Sequence, residues 1–309
     1  MNQNICTVAV VVPVYNSEDT ISDCIDSIRN QTHAALQIIV VDDGSTDGSG
    51  GICDEKASAD SRVIVIHQQN QGRTAARYAG VAVANCHWLT FVDSDDTLPL
   101  DAIHHLVAVA NDATDIVLGN GFSLLDEKRS VIPLDEFRHL AVRAEGTIGV
   151  PWGSLYRRGL LTHHLFDLPR SIMMGEDYIF WLRLVFSTQK NVHVVYENVY
   201  NKGQDHTSNN FVWTADYAEL IQEYRHKAIP ADKLEEYEAD MLSDRVANLF
   251  SVITWCKRQR WASSKFLNDI LADSNRLAMP LNAKQRLMLW MPSLHLRRFC
   301  AKMAVFFKR

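Results

Sequence analysis

The sequence is without a CxxC pair, and none of its six scattered cysteines (Cys6, Cys24, Cys53, Cys86, Cys256, Cys300) has histidines nearby at zinc-ligand spacing. That excludes a zinc ribbon or a redox dithiol and reads as reduced, mostly buried thiols of a cytoplasmic protein. No run reaches the ~18 apolar residues that a membrane-spanning helix needs. The N-terminal MNQNICTVAVVVPVYN lacks a cationic leader, and its apolar run stops at Pro13 after about eight residues, so a first β-strand is expected rather than a signal peptide. Neither GxxxxGK[ST] nor a GxGxxG after a strand occurs, which excludes the glycine-rich loops that usually cradle nucleotide phosphates. Internal repeats and low-complexity segments are absent as well.

With 47% hydrophobic and 22% charged residues, the 309-residue chain can bury a full core, as one large domain with an appendage or as two modest domains. Its net charge of −6 is unevenly spread. Lys257 to Arg309 holds twelve Lys or Arg against two Asp, a local +10, which leaves −16 for the rest. A basic tail on an acidic body signals a partner, and nucleic acid is a poor one because the body would repel it. The tail LHLRRFCAKMAVFFKR sets Leu296, Phe299, Cys300, Met303, Phe306 and Phe307 on one helical face and Arg298, Lys302 and Arg309 largely on another. Such a helix either docks on the core or lies on anionic lipid, and the local charge favours lipid.

TVAVVVPVYN and LQIIVVDD are continuous β-branched runs that end in polar residues and precede helix-compatible stretches. Strands without in/out alternation are buried on both faces. RVIVIHQ, the helical GRTAARYAGVAVANC and HWLTFVD continue the alternation, so the expected fold class is α/β, a mostly parallel central sheet flanked by helices. Ligands of such sheets gather beyond the carboxyl ends of the strands, here Tyr15-Asn16, Asp42-Asp43, His67 and Asp93 to Asp96. After about residue 115 the rhythm changes to short strands (DIVLGNGFSLL, RSVIPL), a charged helix near 135 to 145, a helix GEDYIFWLRLVFS and a strand NVHVVYENVY. This α+β half is expected to pack against the open face of the first sheet. From about Thr214 the pattern is helical, with breaks at Pro230, Pro280 and Pro292.

VVDDGSTDG offers Asp43, Ser45, Asp47, Gly48 and Asp54 at calcium-loop offsets, but a strand precedes it and the last ligand is Asp rather than Glu. A strand-to-helix turn capped by Asp47 or Ser45 fits better, though it leaves Asp42 at a strand's carboxyl end unexplained. In FVDSDDTLP, Asp96 or Thr97 can cap a helix with Pro99 in its first turn. Asp93 and Asp95 remain, and an all-oxygen, histidine-free cluster suits Mg2+ or Mn2+ carrying substrate phosphates, which points to a nucleotide diphosphate. Arg73 and Arg77 are candidate phosphate ligands, with a solvated helix arginine as the alternative for Arg77. Glu176 and Asp177 are either first-turn acids favoured by a helix dipole or a functional pair.

VVVPVYNSEDTI with CIDSIRNQT, IIVVDDGSTDGS, NQGRTAARYAG, FVDSDD and GEDYIFWLRLV stand in family order, and the chain from Thr7 to Ser208 resembles the inverting, family-2-type glycosyltransferases. The resemblance implies a GT-A nucleotide-diphospho-sugar transferase fold for residues 1–212, with a nucleotide-sugar-binding half (1–97) and an acceptor-side half (98–212). A helical C-terminal extension, 213–309, then carries the basic amphipathic tail. By the same resemblance Pro13, Tyr15 and Glu18 lie around the base and ribose, and Asp42 contacts the nucleobase. Asp93 lies toward the ribose or metal with Ser94 beside it in the donor site, Asp95 ligates Mn2+ or Mg2+ on the diphosphate, and Asp177, with Glu176 beside it, serves as catalytic base. PWGSLYRRGLL is similar to the acceptor-side segment, where Trp152 can stack on a sugar face or simply fill core. QDHTSNN is similar to the late loop that closes over the diphosphate, which makes His206, Thr207 and Ser208 candidates; a solvated linker is the alternative. Tyr78 departs from the Asn that often follows the arginine at Arg77, and Gln71-Gly72-Arg73 brings an extra cation, so this helix does not identify the sugar.

The chemistry agrees. Breaking a sugar–diphosphate bond builds charge on the leaving oxygen, which a divalent ion stabilises, and the acceptor hydroxyl must lose its proton to a positioned carboxylate. The expected activity is transfer of a hexosyl or N-acetylhexosaminyl group from a UDP-linked donor to an acceptor glycan, a lipid-linked oligosaccharide of surface polysaccharide biosynthesis. The expected place is the cytoplasm, at the inner face of the cytoplasmic membrane. Of the two alternative classes, a sugar-nucleotide nucleotidyltransferase would need a Gly-rich, Lys-bearing first loop, and a non-catalytic nucleotide-sugar-binding subunit would lack the carboxylates that are present here.

Overall fold

The computed structural model describes residues 7–119, 129–144, 149–203 and 211–306. The chain divides into two units, Met1–Ala141 with Glu145–His206, and Val142–Ala144 with Thr207–Arg309. The first opens with the expected alternation of β1 (Val8–Val14), α1 (Ile21–Arg29), β2 (Leu36–Asp42), α2 (Ser49–Ala59), β3 (Val63–His67), α3 (Arg73–Val83) and β4 (Trp88–Phe91). It continues with α4 (Ala102–Ala108), β5 (Ile116–Leu118), β6 (Val131–Ile132), α5 (Leu134–Val142), β7 (Ser154–Arg157), α6 (His163–Phe166), α7 (Glu176–Ser187) and β8 (Val192–Val194).

Among the described residues these strands form one eight-stranded sheet in the order β3-β2-β1-β4-β7-β5-β8-β6. The first four are parallel, β7 runs antiparallel to β4 and β5, β8 is parallel to β5, and β6 is antiparallel to β8. Side chains alternate across a strand, so burying both faces demands apolar residues at every position. Ala9 and Val11 of β1 enter one core with Ala76, Phe91 and Trp181, while Val8, Val10 and Val12 enter the other with Ile21, Ile25 and Ile103. Pro13 tolerates its place in β1 because pairing with β4 ends at Val11↔Phe91, leaving no ladder partner for the missing N–H.

Two expectations need correction. The later half does not lie on the sheet's face but extends the sheet itself, through Trp88↔Arg157 and Leu89↔Tyr156. The outer edge of β4 presents unpaired backbone groups, and a short antiparallel strand satisfies them while helices take the faces. The helix after DSDD also starts later: Asp101 precedes its first residue, and the Pro99 carbonyl accepts from Gln31 Nε2 at 2.7 Å and Ala102 N at 3.0 Å.

In the second unit, α8 (Ala215–Ala228), α9 (Glu238–Trp255), α10 (Arg258–Ala262), α11 (Lys265–Arg276), α12 (Ala283–Trp290) and α13 (Leu294–Phe306) are separated where Pro230, Pro280 and Pro292 fall. Leu242, Leu249, Ile253, Phe266, Ile270 and Met288 form its core. α13 docks on the end of α9: the buried Arg297 donates from Nη1 to the Ile253 carbonyl at 2.9 Å, and Arg298 Nε reaches Thr254 O at 3.4 Å. Last-turn carbonyls lack intrahelical partners, so cations settle there. In consequence Leu296 and Phe299 are exposed, while Cys300, from the same expected apolar face, packs toward the core. The side chains of Lys302, Met303 and Phe306, and residues Phe307 and Arg309, lie outside the described residues. Among those residues no helix is long and apolar enough to cross a membrane.

Gly80 sets how closely α3 approaches β1, because a Cβ there would collide with Val11 Cγ1 and lie 3.1 Å from Cγ2. Gly80→Ala is expected to destabilise the protein by about 1–3 kcal/mol in urea titrations. Helix propensity alone would favour alanine by ~1 kcal/mol, so a stabilised variant would contradict this packing.

Candidate active site

β1 pairs with β2 on one side and β4 on the other, so strand order reverses there, and the polar strand ends collect at that reversal. After β4 the chain turns sharply, with Asp96 N donating to Asp93 O at 3.1 Å. The three carboxylates separate: Asp95 is exposed, Asp93 is 16% exposed, and Asp96 is buried. Asp96 caps no helix. It accepts from Tyr200 Oη and from Gly203 N, each at 2.6 Å, and so fastens the segment after β8 beneath the turn. Burial, reinforced by the charges of Asp95 and Asp93, pushes the Asp96 carboxyl up against these two bonds. Tyr200 also accepts from Asp93 N at 3.1 Å, and its ring stacks on Trp152 with centroids 4.4 Å apart. Paired backbone bonds between Thr97 and Asn201 hold it in place.

Arg77 joins this turn to α7. It projects from the buried face of α3 and is only 3% exposed, donating from Nη2 to Asp93 Oδ1 at 2.8 Å and from Nη1 to Asp177 Oδ1 at 2.5 Å. A solvated helix arginine is thereby excluded. Burial works against the guanidinium charge, but Asp177 and Asp93 outweigh it and hold the pKa above its ordinary value. One turn earlier, Arg73 pairs with the buried Glu176. Gly175 takes φ +90°, a left-handed conformation that a side chain would strain, and turns the chain so that α7 opens on its acid pair. Burial, together with the neighbouring Asp177 charge, pushes the Glu176 carboxyl up, and Arg73 opposes it.

The loop after β2 is held by its own carboxylates. Asp43 accepts from Gln68 Nε2, Gln71 N and Gly72 N at 2.7–2.8 Å, which positions the start of α3. Asp47 accepts from Ser49 N at 3.0 Å, while Glu18 takes the amide of Gly48, the residue that precedes α2, at 2.7 Å. Neither Asp47 nor Ser45 is the N-cap of α2, which is Gly48, and Asp43 and Asp47 serve separate partners, as a turn requires and a calcium loop does not. Ser94 Oγ lies 2.8 Å from Ser17 Oγ, tying the β4 turn to the segment after β1. Tyr15 is exposed beside it.

The structure therefore gathers Arg73, Arg77, Asp93, Glu176 and Asp177 into one ion-paired cluster, with Ser94 and Asp95 on its outward turn. Asp42, Glu18, Pro13 and Tyr15 sit at the ends of β1 and β2, and Trp152 lies half-buried against Tyr200. His206, Thr207 and Ser208 lie outside the described residues. Tyr200 and Ser17 belong to the arrangement and went unnoticed in the sequence; a lone aromatic after a short strand carries no motif. Four carboxylates (Asp93, Asp95, Glu176, Asp177) face two arginines, and the exposed Asp95 offers oxygen ligands only, a donor set that fits a hard divalent cation.

The description "Glycosyl transferase family 2" matches residues 9–176, more than half of the chain. EpsH of Bacillus subtilis (strain 168), named as a glycosyltransferase, is 29% identical over 284 residues, covering 83% of this chain and 78% of its own length. Other matches are partial: they span 27% and 39% of the length of two glycosyltransferases from Streptococcus pneumoniae. S. aureus TarS 1–349 in complex with UDP-GlcNAc matches with a TM-score of 0.58 at 19% identity, over 89% of this chain and 93% of that one. The mannosyltransferase PcManGT from Pyrobaculum calidifontis, in complex with GDP-Man and Mn2+, matches with a TM-score of 0.56 at 18% identity, over 96% and 86%. These likenesses show the fold, which is GT-A, with a helical C-terminal region.

His67 Nδ1 lies 2.9 Å from Asp42 Oδ2 and its Nε2 3.0 Å from Asp54 Oδ1, and these bonds raise the imidazole pKa. Burial works to raise Asp42, but bonds from Ser45 and His67 prevail and hold it below the usual carboxylate value. The His67 contribution to stability is full below its unfolded pKa of about 6.5 and lost as pH rises through the raised folded value. The Asp42 contribution is full above about 3.9 and lost as pH falls through its lowered value. His67→Gln, which keeps a neutral donor, should therefore cost more stability at about pH 5 than at about pH 9 in urea titrations; equal losses would deny the charge pairing.

Proposed function

We propose a specific reaction from the premise that this chain belongs to glycosyl transferase family 2 and is a glycosyltransferase. It transfers a hexosyl or N-acetylhexosaminyl group from a UDP-linked donor to a hydroxyl of an acceptor glycan, by inverting direct displacement. The observation that carries this reading is the Arg77 bridge, which sets a carboxylate of α7 beside the one at the end of β4. Asp177 is the base that takes the acceptor's proton, with Glu176 held at its side by Arg73.

On the donor side, Asp42 meets the nucleobase, Pro13, Tyr15 and Glu18 surround base and ribose, and Asp93 with Ser94 meets the ribose. Asp95 and Asp93 would hold Mn2+ or Mg2+, which when bound neutralises charge on the leaving diphosphate. Arg73 and Arg77 lend positive charge to the same region, Trp152 lies on the acceptor side, and His206, Thr207 and Ser208 cover the diphosphate. UDP-GlcNAc in the TarS complex supports the donor, and Mn2+ in the PcManGT complex supports the ion. Residues 1–212 are the catalytic domain, and residues 213–309 bring it to the inner face of the cytoplasmic membrane, where a lipid-linked oligosaccharide of surface polysaccharide synthesis is the acceptor. Exposed Leu296 and Phe299 on a helix within the basic region support that placement.

Asp177→Asn should lower turnover by about 10²–10⁴-fold while leaving UDP affinity unchanged, and Asp95→Ala should abolish the metal-dependent part of donor turnover. Wild-type transfer by Asp177→Asn would overturn the base assignment. The double variant Leu296→Gln, Phe299→Gln should float less with phosphatidylglycerol vesicles than wild type; equal flotation would sink the membrane reading.

A further inference from the structure

We propose that the helical unit contains a phosphate-binding pocket formed by Lys257 and Arg258, with the buried Arg297 charge behind them. A cavity of about 540 Å³ opens between the start of α10 and the α12–α13 turn, lined by these three cations with Gln259, Pro292 and Leu294 among its walls. That volume falls within the roughly 300–1,000 Å³ of ligand pockets. Its lining contains no carboxylate, and among the described residues none of the three cations has one at ion-pair distance. Two other arginines of this unit are neutralised locally, Arg225 by Asp244 and Arg245 by Asp273.

Arg297 is the informative member. It is fully buried, lies over the Trp261 ring at 5.3 Å, and spends Nη1 on the Ile253 carbonyl; its Nε has no hydrogen-bond partner, as is true of Arg225 and Arg245 too, so what sets Arg297 apart is the lack of a carboxylate at ion-pair distance among the described residues. Burial, with Arg258 and Arg298 nearby, pushes its pKa down, the sign of a charge that lacks compensation. A buried cation without a counter-ion is unfavourable, and an anion entering the cavity relieves it. Phosphate suits the set because its several oxygens can meet a guanidinium fork and an ammonium together. The apolar walls from Ala262, Pro292 and Leu294 suit a phosphate attached to something larger. This pocket does not depend on the transfer reaction, and its test reads binding rather than activity.

Because Arg297 also caps α9, the test variant is Lys257→Gln, Arg258→Gln, which spares it. The probe is inorganic pyrophosphate, titrated calorimetrically into the full chain in EDTA, so that no metal carries phosphate to the donor site. Wild type should bind, and the variant should weaken on the order of tenfold, as loss of charge-assisted bonds implies. Lys265→Gln, Lys284→Gln, which removes equal charge away from the pocket, should leave affinity unchanged, and UDP binding with Mn2+ should be retained in both. Absence of wild-type binding, or equal weakening in both double variants, would overturn the pocket. Phosphatidylglycerol vesicles identify the source: reduced flotation of the Lys257→Gln, Arg258→Gln variant marks a lipid-borne phosphate. Unchanged flotation with lost pyrophosphate binding marks a soluble one.

Discussion

A guanidinium only 3% exposed must be paired, and that requirement organises the site. Arg77 meets it by drawing Asp93 from the end of β4 and Asp177 from the first turn of α7 onto one side chain. Removing one partner of such a buried pair leaves a charge uncompensated and typically destabilises by about 3–5 kcal/mol, so the three segments are fixed as a unit. The depth of Arg77 depends in turn on Gly80, three residues on and on the same buried face of α3. Packing at one turn of the helix thus sets electrostatics at the neighbouring one.

A second tier of polar contacts surrounds that unit. Asp96 and Tyr200 join residues 104 positions apart, and the same hydroxyl accepts the amide of Asp93. Asp43 fixes the entry to α3, and Glu18 with Asp47 fixes the entry to α2. The outcome is an outward turn bearing Ser94 and Asp95, with Asp96 and one oxygen of Asp93 committed to other partners. An exposed carboxylate there offers oxygen ligands of the kind a hard divalent cation takes.

Sequence reading reached the first four strands because both their faces are buried, which leaves unbroken apolar runs in plain view. It placed the later half wrongly, since the pairing of β4 with β7 joins strands only four residues long through backbone bonds that no side-chain pattern announces. It singled out Asp93, Asp95, Glu176 and Asp177 through their motifs, but assigned Asp96 to a helix that begins at Ala102. The true partners of Asp96, Tyr200 and Gly203, are supplied by tertiary contact. For Arg77, no local feature separates a solvated helix arginine from a buried clamp; only the depth of α3 against β1 decides. In α13 the periodicity of apolar residues was legible, whereas the docking side was set by Arg297 reaching the carbonyls of α9.

The central claim is that Arg77 and Asp177 act as one unit, and a double-mutant cycle on stability with Arg77→Met and Asp177→Asn measures it directly. The account predicts a coupling of about 1–3 kcal/mol, the double variant losing less than the sum of the single variants. Additivity within about 0.3–0.5 kcal/mol would contradict it.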